Sequence, residues 1–198
     1  MIYLASKSPR RVALCQQIGL EVTVLSDCSV DETPIRGEIP RLYAERITKL
    51  KAESAAASLP EPKENDVLIA ADTVLATGRR IFAKTDDVAT ATAHLQYLSG
   101  RNARVWGGLA VWFFVDGDWQ KRNRISETRL KFARLSEVEI ADYLALNQWR
   151  GCAGAIAIQG AAARFVDRLQ GSYSNVVGMD VAQLWRLLPN FLRENHHG

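Results

Sequence analysis

Apolar and polar positions change their period several times along the chain, and each change marks an element. Ile2 to Ala5 is a short apolar run that reads as a strand, and Pro9 to Ile18 follows as a helix with Gly19 at the C-terminal cap position. Over 38–57, Ile39, Leu42, Tyr43, Ile47 and Leu50 recur at helical spacing while Arg41, Glu45 and Lys49 share the opposite face, which predicts an amphipathic helix. The run "KAESAAASLPEPKEN" (51–65) closes it with a polar, proline-containing loop. "DVLIAADT" (66–73) is a buried strand ending in polar residues, and Asp86 to Leu98 is a helix stopped by "SGR". Two further strands, 104–115 and 119–133, meet at the hairpin signal Asp116-Gly117. Ser136 and Glu139 form a capping box that opens a helix from Glu137 to Leu146. A strand over 163–169, a helix from Val181 to Leu188 and a polar tail over 190–198 complete the chain. Strands alternate with helices at both ends around a central hairpin, so the expected fold is α/β, a mixed twisted sheet flanked by helices in a single domain, 1–198.

Composition narrows the class. At 198 residues, 47% hydrophobic and 24% charged, the chain is long enough for a sizeable core and has the balance of an ordinary globular protein. Its longest apolar run, Leu109 to Val115, falls far short of the roughly 20 residues of a membrane helix. No secretory signal opens the sequence, and Cys15, Cys28 and Cys152 lack CxxC spacing, so reduced thiols and a cytoplasmic location are expected. His196 and His197 read as part of the polar tail rather than as metal ligands. A net charge of +3 argues little for nucleic acid. The basic segment "QKRNRISETRLKFAR" (120–134) alternates like a strand with a solvated face and has acidic neighbours. Neither a nucleic-acid nor a membrane partner is expected.

Candidate chemistry begins at "YLASKSPRRVALCQQIGL". A strand feeding a helix start gathers unpaired backbone N–H groups and the positive end of the helix dipole at one spot. Ser8 suits the N-cap and Pro9 the first helical position, while Ser6, Arg10 and Arg11 add hydroxyls and bidentate forks suited to phosphate oxygens. A capped surface helix with solvated arginines fits the same residues. Asp31 and Glu32 fall in a loop, and Asp72 falls at the end of a buried strand, where carboxylates suit Mg²⁺ with substrate phosphates. Asp72 beside Thr73 is also an ordinary turn cap. Lys51 sits at the rim of its helix's apolar stripe, its ammonium reaching outward, and Lys84 stands between a strand and a helix. Gln159, inside an apolar run of small residues, needs partners for its amide: backbone groups or a nucleobase.

The ordered series "LASKSPRR", "VDET", "AADTV", "AKTDD", "SGR", "AGAIAIQG" and "GSYSNVVG", from residue 3 to about 178, resembles the Maf family of nucleoside triphosphate pyrophosphatases, the septum formation proteins. The resemblance implies an elongated, two-lobed Maf/ITPase-like fold with a central cleft, often a homodimer. It also implies Mg²⁺-dependent hydrolysis of a nucleoside triphosphate to monophosphate and pyrophosphate, with Mn²⁺ as an alternative ion. Asp72 is then the catalytic acid residue that activates water. Ser6, Ser8, Arg10 and Arg11 make the phosphate-binding loop; Glu32, Lys51 and Lys84 match charged site positions; Glu32 and Asp72 are the metal ligands. Arg10, Thr73 and Gln159 match the dTTP/UTP branch, whereas the 7-methyl-GTP branch has other residues there, including a tryptophan. Modified pyrimidine nucleotides fall within the same expectation, and the alternatives are a pyrophosphatase for 7-methyl-GTP or another noncanonical nucleoside triphosphate and a weakly catalytic nucleotide-binding regulator of cell division. Departures from the family pattern are Leu50 for an acidic residue, Ala83 and Thr85 for glycine and proline, Ala103 and Gly107 for histidine and threonine, and Ile156 for a tyrosine near the base.

Overall fold

The computed structural model describes residues 1–26 and 28–194, with the side chain of Glu194 excepted. Strands β1 (Ile2–Leu4), β2 (Thr23–Val24), β3 (Val67–Thr77), β4 (Arg80–Phe82), β5 (Asn102–Val115), β6 (Asp118–Phe132) and β7 (Val166–Gln170) form one sheet. Its order is β2-β1-β3-β5-β6-β7, with β4 added to β3. β1 runs parallel to β2 and β3, and the other pairings are antiparallel, so the sheet is mixed as expected. Asp116 and Gly117 both hold positive φ, 53° and 81°, which suits a turn that follows the twist of β5 and β6.

Helices α1 (Pro9–Gln17), α2 (Pro40–Ser58), α3 (Val88–Leu98), α4 (Glu137–Ala145), α5 (Tyr173–Val177), α6 (Val181–Leu187) and α7 (Asn190–Glu194) flank the sheet. The predicted capping box of α4 is present in full, Ser136 and Glu139 each accepting a backbone N–H. Alternation along β3 divides the core. Val67, Ile69 and Ala71 pack with Leu14, Leu20 and Leu184 on one face, where Leu75 joins a second cluster with Phe82, Leu95, Val105 and Phe165. On the opposite face α2 covers the sheet, Ala52 and Ala55 against Leu68 and Ala70, and Tyr43 and Ile47 against Val74.

The edge of β3 is what positions the site. β5 pairs with it without interruption from Val67 to Ala76. On its other edge, β1 covers only Val67 to Ile69 and β4 only Leu75 to Thr77. Ala70 to Val74 therefore face a gap between two short strands.

Several expectations need correction. The helix over 38–57 starts at Pro40, and its buried face runs through Tyr43, Ala44, Ile47, Thr48 and Lys51, leaving Leu42 51% exposed. Small alanines let that face approach the sheet, so the larger apolar residues did not define it. The strand expected over 163–169 is a 3₁₀ turn, Ala161–Phe165, followed by β7. The polar tail is wrong at 190–194: α7 forms there, and Phe191 and Leu192 pack on the core. His196 and His197 lie outside the described residues. β2, β4 and α5 are too short to show a period and were not anticipated.

Candidate active site

Three chain segments converge on the gap in β3. Leaving β1, Ala5 keeps one sheet bond to Ile69, after which Ser6 to Ser8 turn away into α1. Leaving β4, Lys84 forms an isolated bridge with Ala153. Asp72 and Thr73 come from β3 itself and, being adjacent in a strand, point to opposite sheet faces. Asp72 therefore lies mid-strand, opposite Gly108, rather than at a strand end. An open cleft of about 500 Å³ is lined by Ser6, Ser8, Arg10, Glu32, Lys51 and Lys84 among others. A smaller cavity of about 40 Å³ adjoins it, with Thr73, Leu75, Val105, Ile156 and Val177 in its wall. Ser8, Arg10, Arg11 and Lys84 line both.

On the α2 face, Lys51 turns inward rather than outward. Its ammonium lies 2.6 Å from Asp72 Oδ1 and 2.7 Å from Glu32 Oε1. Asp72 is 4% exposed, whereas the Glu32 side chain is 46% exposed, so the Asp72 arm is the strong one and the Glu32 arm is screened by solvent. Tyr43 donates its hydroxyl to the Glu32 carbonyl at 2.7 Å. Arg46 bonds Glu38 and the Thr33 carbonyl, tying the 31–38 loop to α2 at both ends. Burial pushes the Tyr43 phenol up to about 12, with Asp72 and Glu32 adding to the shift, so Tyr43 remains a hydrogen donor at neutral pH.

On the other face, Arg11 is buried, not solvated. Its Nε donates to the Gly178 carbonyl at 2.9 Å and its Nη1 to Ser6 Oγ at 2.9 Å, while Thr73 Oγ1 donates to the same carbonyl at 2.9 Å. Burial lowers the pKa of Arg11 and the charge of Asp72 opposes that shift. Arg11 thus spends its fork on holding the junction together. Arg10 reaches across the cleft mouth to the Gly151 carbonyl, 2.8 Å away. Ser8 occupies the N-cap position as expected, but its side chain makes no cap bond and its hydroxyl points to no protein partner among the described residues. That leaves a hydroxyl at the positive end of α1 for an incoming anion.

Lys84 keeps solvent contact at the cleft mouth, yet the surrounding walls remove enough water from its ammonium to lower its pKa. Arg11 and Lys51 lower it further, against Asp72 and Glu32. Four cations, Arg10, Arg11, Lys51 and Lys84, thus line one cleft with a single carboxylate, Glu32, in its wall and Asp72 buried behind Lys51. Such a site attracts a multiply charged anion.

Of the residues anticipated, Ser6, Ser8, Arg10, Arg11, Glu32, Lys51, Asp72, Thr73 and Lys84 come together. Gln159 does not. It is exposed in a turn after Ile158, lines neither cavity and makes no side-chain hydrogen bond among the described residues. Four contributors were missed. Tyr43 reads in sequence as one more apolar stripe residue. Gly178 acts through its backbone carbonyl, which no sequence pattern announces. Gly107 and Gly108 pair with Thr73 and Asp72, and a Cβ on either would collide, with Asn175 Oδ1 at 1.7 Å and Thr48 Oγ1 at 2.0 Å respectively. Two glycines inside a strand are the available signal for close approach on both faces.

Glu32 and Asp72 converge on one ammonium, so both carboxylates can also reach one hard cation. Mg²⁺ is commonly bound by one or two carboxylates together with substrate phosphates and water, and this donor pair fits that habit. Among the described residues no group of three or more His, Cys, Asp or Glu gathers at one place, this site included, so the two carboxylates would need substrate phosphates and water to complete an ion's shell.

A cationic cleft opening through the edge of a mixed sheet, over paired carboxylates, defines an anion-handling α/β protein. The Maf-like protein family model matches residues 1–191, and the chain belongs to the Maf family. It is 47% identical over 189 residues to a dTTP/UTP pyrophosphatase of Rhodopseudomonas palustris strain CGA009, covering 94% of this chain and 90% of that one. Similar proteins of the same name occur in Chelativorans sp. strain BNC1, 45% identical over 94% of this chain and 89% of the relative, and in Agrobacterium fabrum, 43% identical over 94% and 90%.

Proposed function

We propose that this chain hydrolyses dTTP and UTP to the monophosphate and pyrophosphate. The observation that carries the reading is the buried Lys51–Asp72 pair set across the β3 gap from the Ser6–Arg11 helix start. That spacing lets one substrate lie with its phosphates on the cationic side and its α-phosphorus beside a carboxylate.

Lys51 fixes the orientation of Asp72, which accepts a proton from water as the water oxygen attacks the α-phosphorus. A new P–O bond forms, the bond between that phosphorus and the bridging oxygen breaks, and pyrophosphate departs with the electron pair. Arg10, Lys84, the Ser8 hydroxyl and the α1 N-terminus offset charge on the departing oxygens. Glu32 and Asp72 would hold a divalent ion, Mg²⁺ or alternatively Mn²⁺, which when bound neutralises phosphate charge. No covalent intermediate is required.

The choice of base rests on the names of the relatives and on Arg10 and Thr73 at the cleft. Gln159 lines neither cavity, so for its unbonded amide to read the O/N–H edge of uracil or thymine the base must extend beyond the cavity walls to the turn after Ile158, and Gln159→Ala tests this by flattening the preference among bases. A panel of ordinary and 7-methylated nucleoside triphosphates with Mg²⁺, scored for pyrophosphate against orthophosphate, tests the whole reading. Pyrophosphate from dTTP and UTP is expected; a folded protein inactive on every nucleotide, or releasing only orthophosphate, would sink it.

A further inference from the structure

The basic segment 120–134 takes no part in the cleft. Leu130 and Phe132 enter the core on one face of β6, so Arg129 and Lys131 stand on the other. Register places Arg104 of β5 beside Arg129, and Arg168 of β7 beside Lys131. On this face α2 packs on Val74 and Trp106. One row beyond them, the four cations line an open groove of about 680 Å³ walled only by β3, β5, β6, β7 and the Gly78 turn.

Like charges directly opposite each other on paired strands destabilise a sheet. Arg104 and Arg129 are offset by Glu127, 3.2 and 2.7 Å away. Lys131 and Arg168 have no carboxylate partner among the described residues, and the Lys131 ammonium donates instead to the Gly100 carbonyl. An uncompensated pair beside a compensated one is a placement that a bound anion would relieve.

We propose that this groove binds a chain of several linked phosphates at a site separate from the cleft. Strands lie ~4.8 Å apart and same-face neighbours ~6.8 Å apart, so the cations spread over a strip wider than one phosphate. Guanidinium forks favour phosphate oxygens. The groove lining holds no aromatic side chain, so the bases of a nucleic acid would find nothing to stack on. Arg clusters also take acidic peptides, but linked phosphates carry more charge per unit length than successive carboxylates and suit four cations within one strip.

Titration of tripolyphosphate into the full chain, by calorimetry with amide chemical shifts followed by NMR, tests this independently of the cleft chemistry. Two binding events are expected, one of them moving the amides of Arg129, Lys131 and Arg168 and weakening as salt rises. The double variant Lys131→Gln/Arg168→Gln should weaken that event alone by about tenfold or more. Nucleotide hydrolysis should be unchanged and the protein should remain folded, relief of the like-charge pair offsetting the lost Lys131–Gly100 hydrogen bond. Shifts confined to the cleft, or unaltered binding in the double variant, would overturn the proposal. So would tighter binding of a single-stranded oligonucleotide or an acidic peptide than of tripolyphosphate.

Discussion

Lys51 shows most clearly how a residue's place in the fold changes its chemistry. On a helical wheel it is a rim lysine with its charge in water; in the fold it is buried between two carboxylates and locks one of them at the gap in β3. Asp72→Asn keeps the shape and removes the proton acceptor, so pyrophosphate release should fall by about 10²–10⁴-fold with nucleotide binding retained. Equal activity in the variant would move the general base elsewhere. Lys84 gives a pH prediction. Its folded pKa is lowered, first by burial and then by Arg11, so it sheds its proton at lower pH than an ordinary lysine. The folded state then binds fewer protons than the unfolded one between the lowered and ordinary values, and stability rises with pH across that window. Affinity for a triphosphate moves the other way, so kcat/KM should decline on the alkaline side below the ordinary lysine range, and Lys84→Arg should shift that limb upward. An unshifted limb would remove Lys84 from phosphate binding.

At the scale of elements, the site depends on how close α2 lies to the sheet. Gly108 allows it: a Cβ there would meet Thr48 Oγ1 and, at 2.7 Å, the Ala44 carbonyl. Gly108→Ala should therefore cost about 1–3 kcal/mol by overpacking and lower activity by shifting Lys51 relative to Asp72, measured by denaturant unfolding beside turnover. Retained stability and rate together would show that α2 moves without consequence. Tyr43→Phe removes one bond, to the Glu32 carbonyl, and should cost about 1 kcal/mol of stability. Its larger effect should be a higher Mg²⁺ requirement, because Glu32 loses its tether; a change in stability alone would leave Tyr43 a core residue. The sequence carried the long elements because β3, β5, β6 and the major helices repeat a period over many residues. It could not carry β4, which is three residues long, or the alanine-lined burial of α2, whose apolar signal is weak. The Ser6–Arg11 junction proposed to bind phosphate was visible because its chemistry is concentrated in a few consecutive side chains, while the Gly178 carbonyl and the inward turn of Lys51 depend on residues far away in sequence.

Across the whole molecule, one sheet runs beneath two core clusters, one holding Ala71 and the other Leu75 on the same face of β3, with Val177 packed against both. The cleft therefore has walls joined by continuous strands. Leu20→Ala in one cluster and Phe165→Ala in the other should each cost several kcal/mol, about 2–5, and lower the same cooperative transition when fluorescence and far-UV circular dichroism are compared. Separate transitions would show that the clusters fold as independent units. On the proposed reading, phosphates held by the cations put the α-phosphorus nearest the Asp72 carboxylate, and water attacks there. Hydrolysis of dTTP in water enriched in heavy oxygen, under single-turnover conditions, reads that directly. The label is predicted wholly in the nucleoside monophosphate; label in the pyrophosphate, or release of labelled orthophosphate, would contradict attack at the α-position.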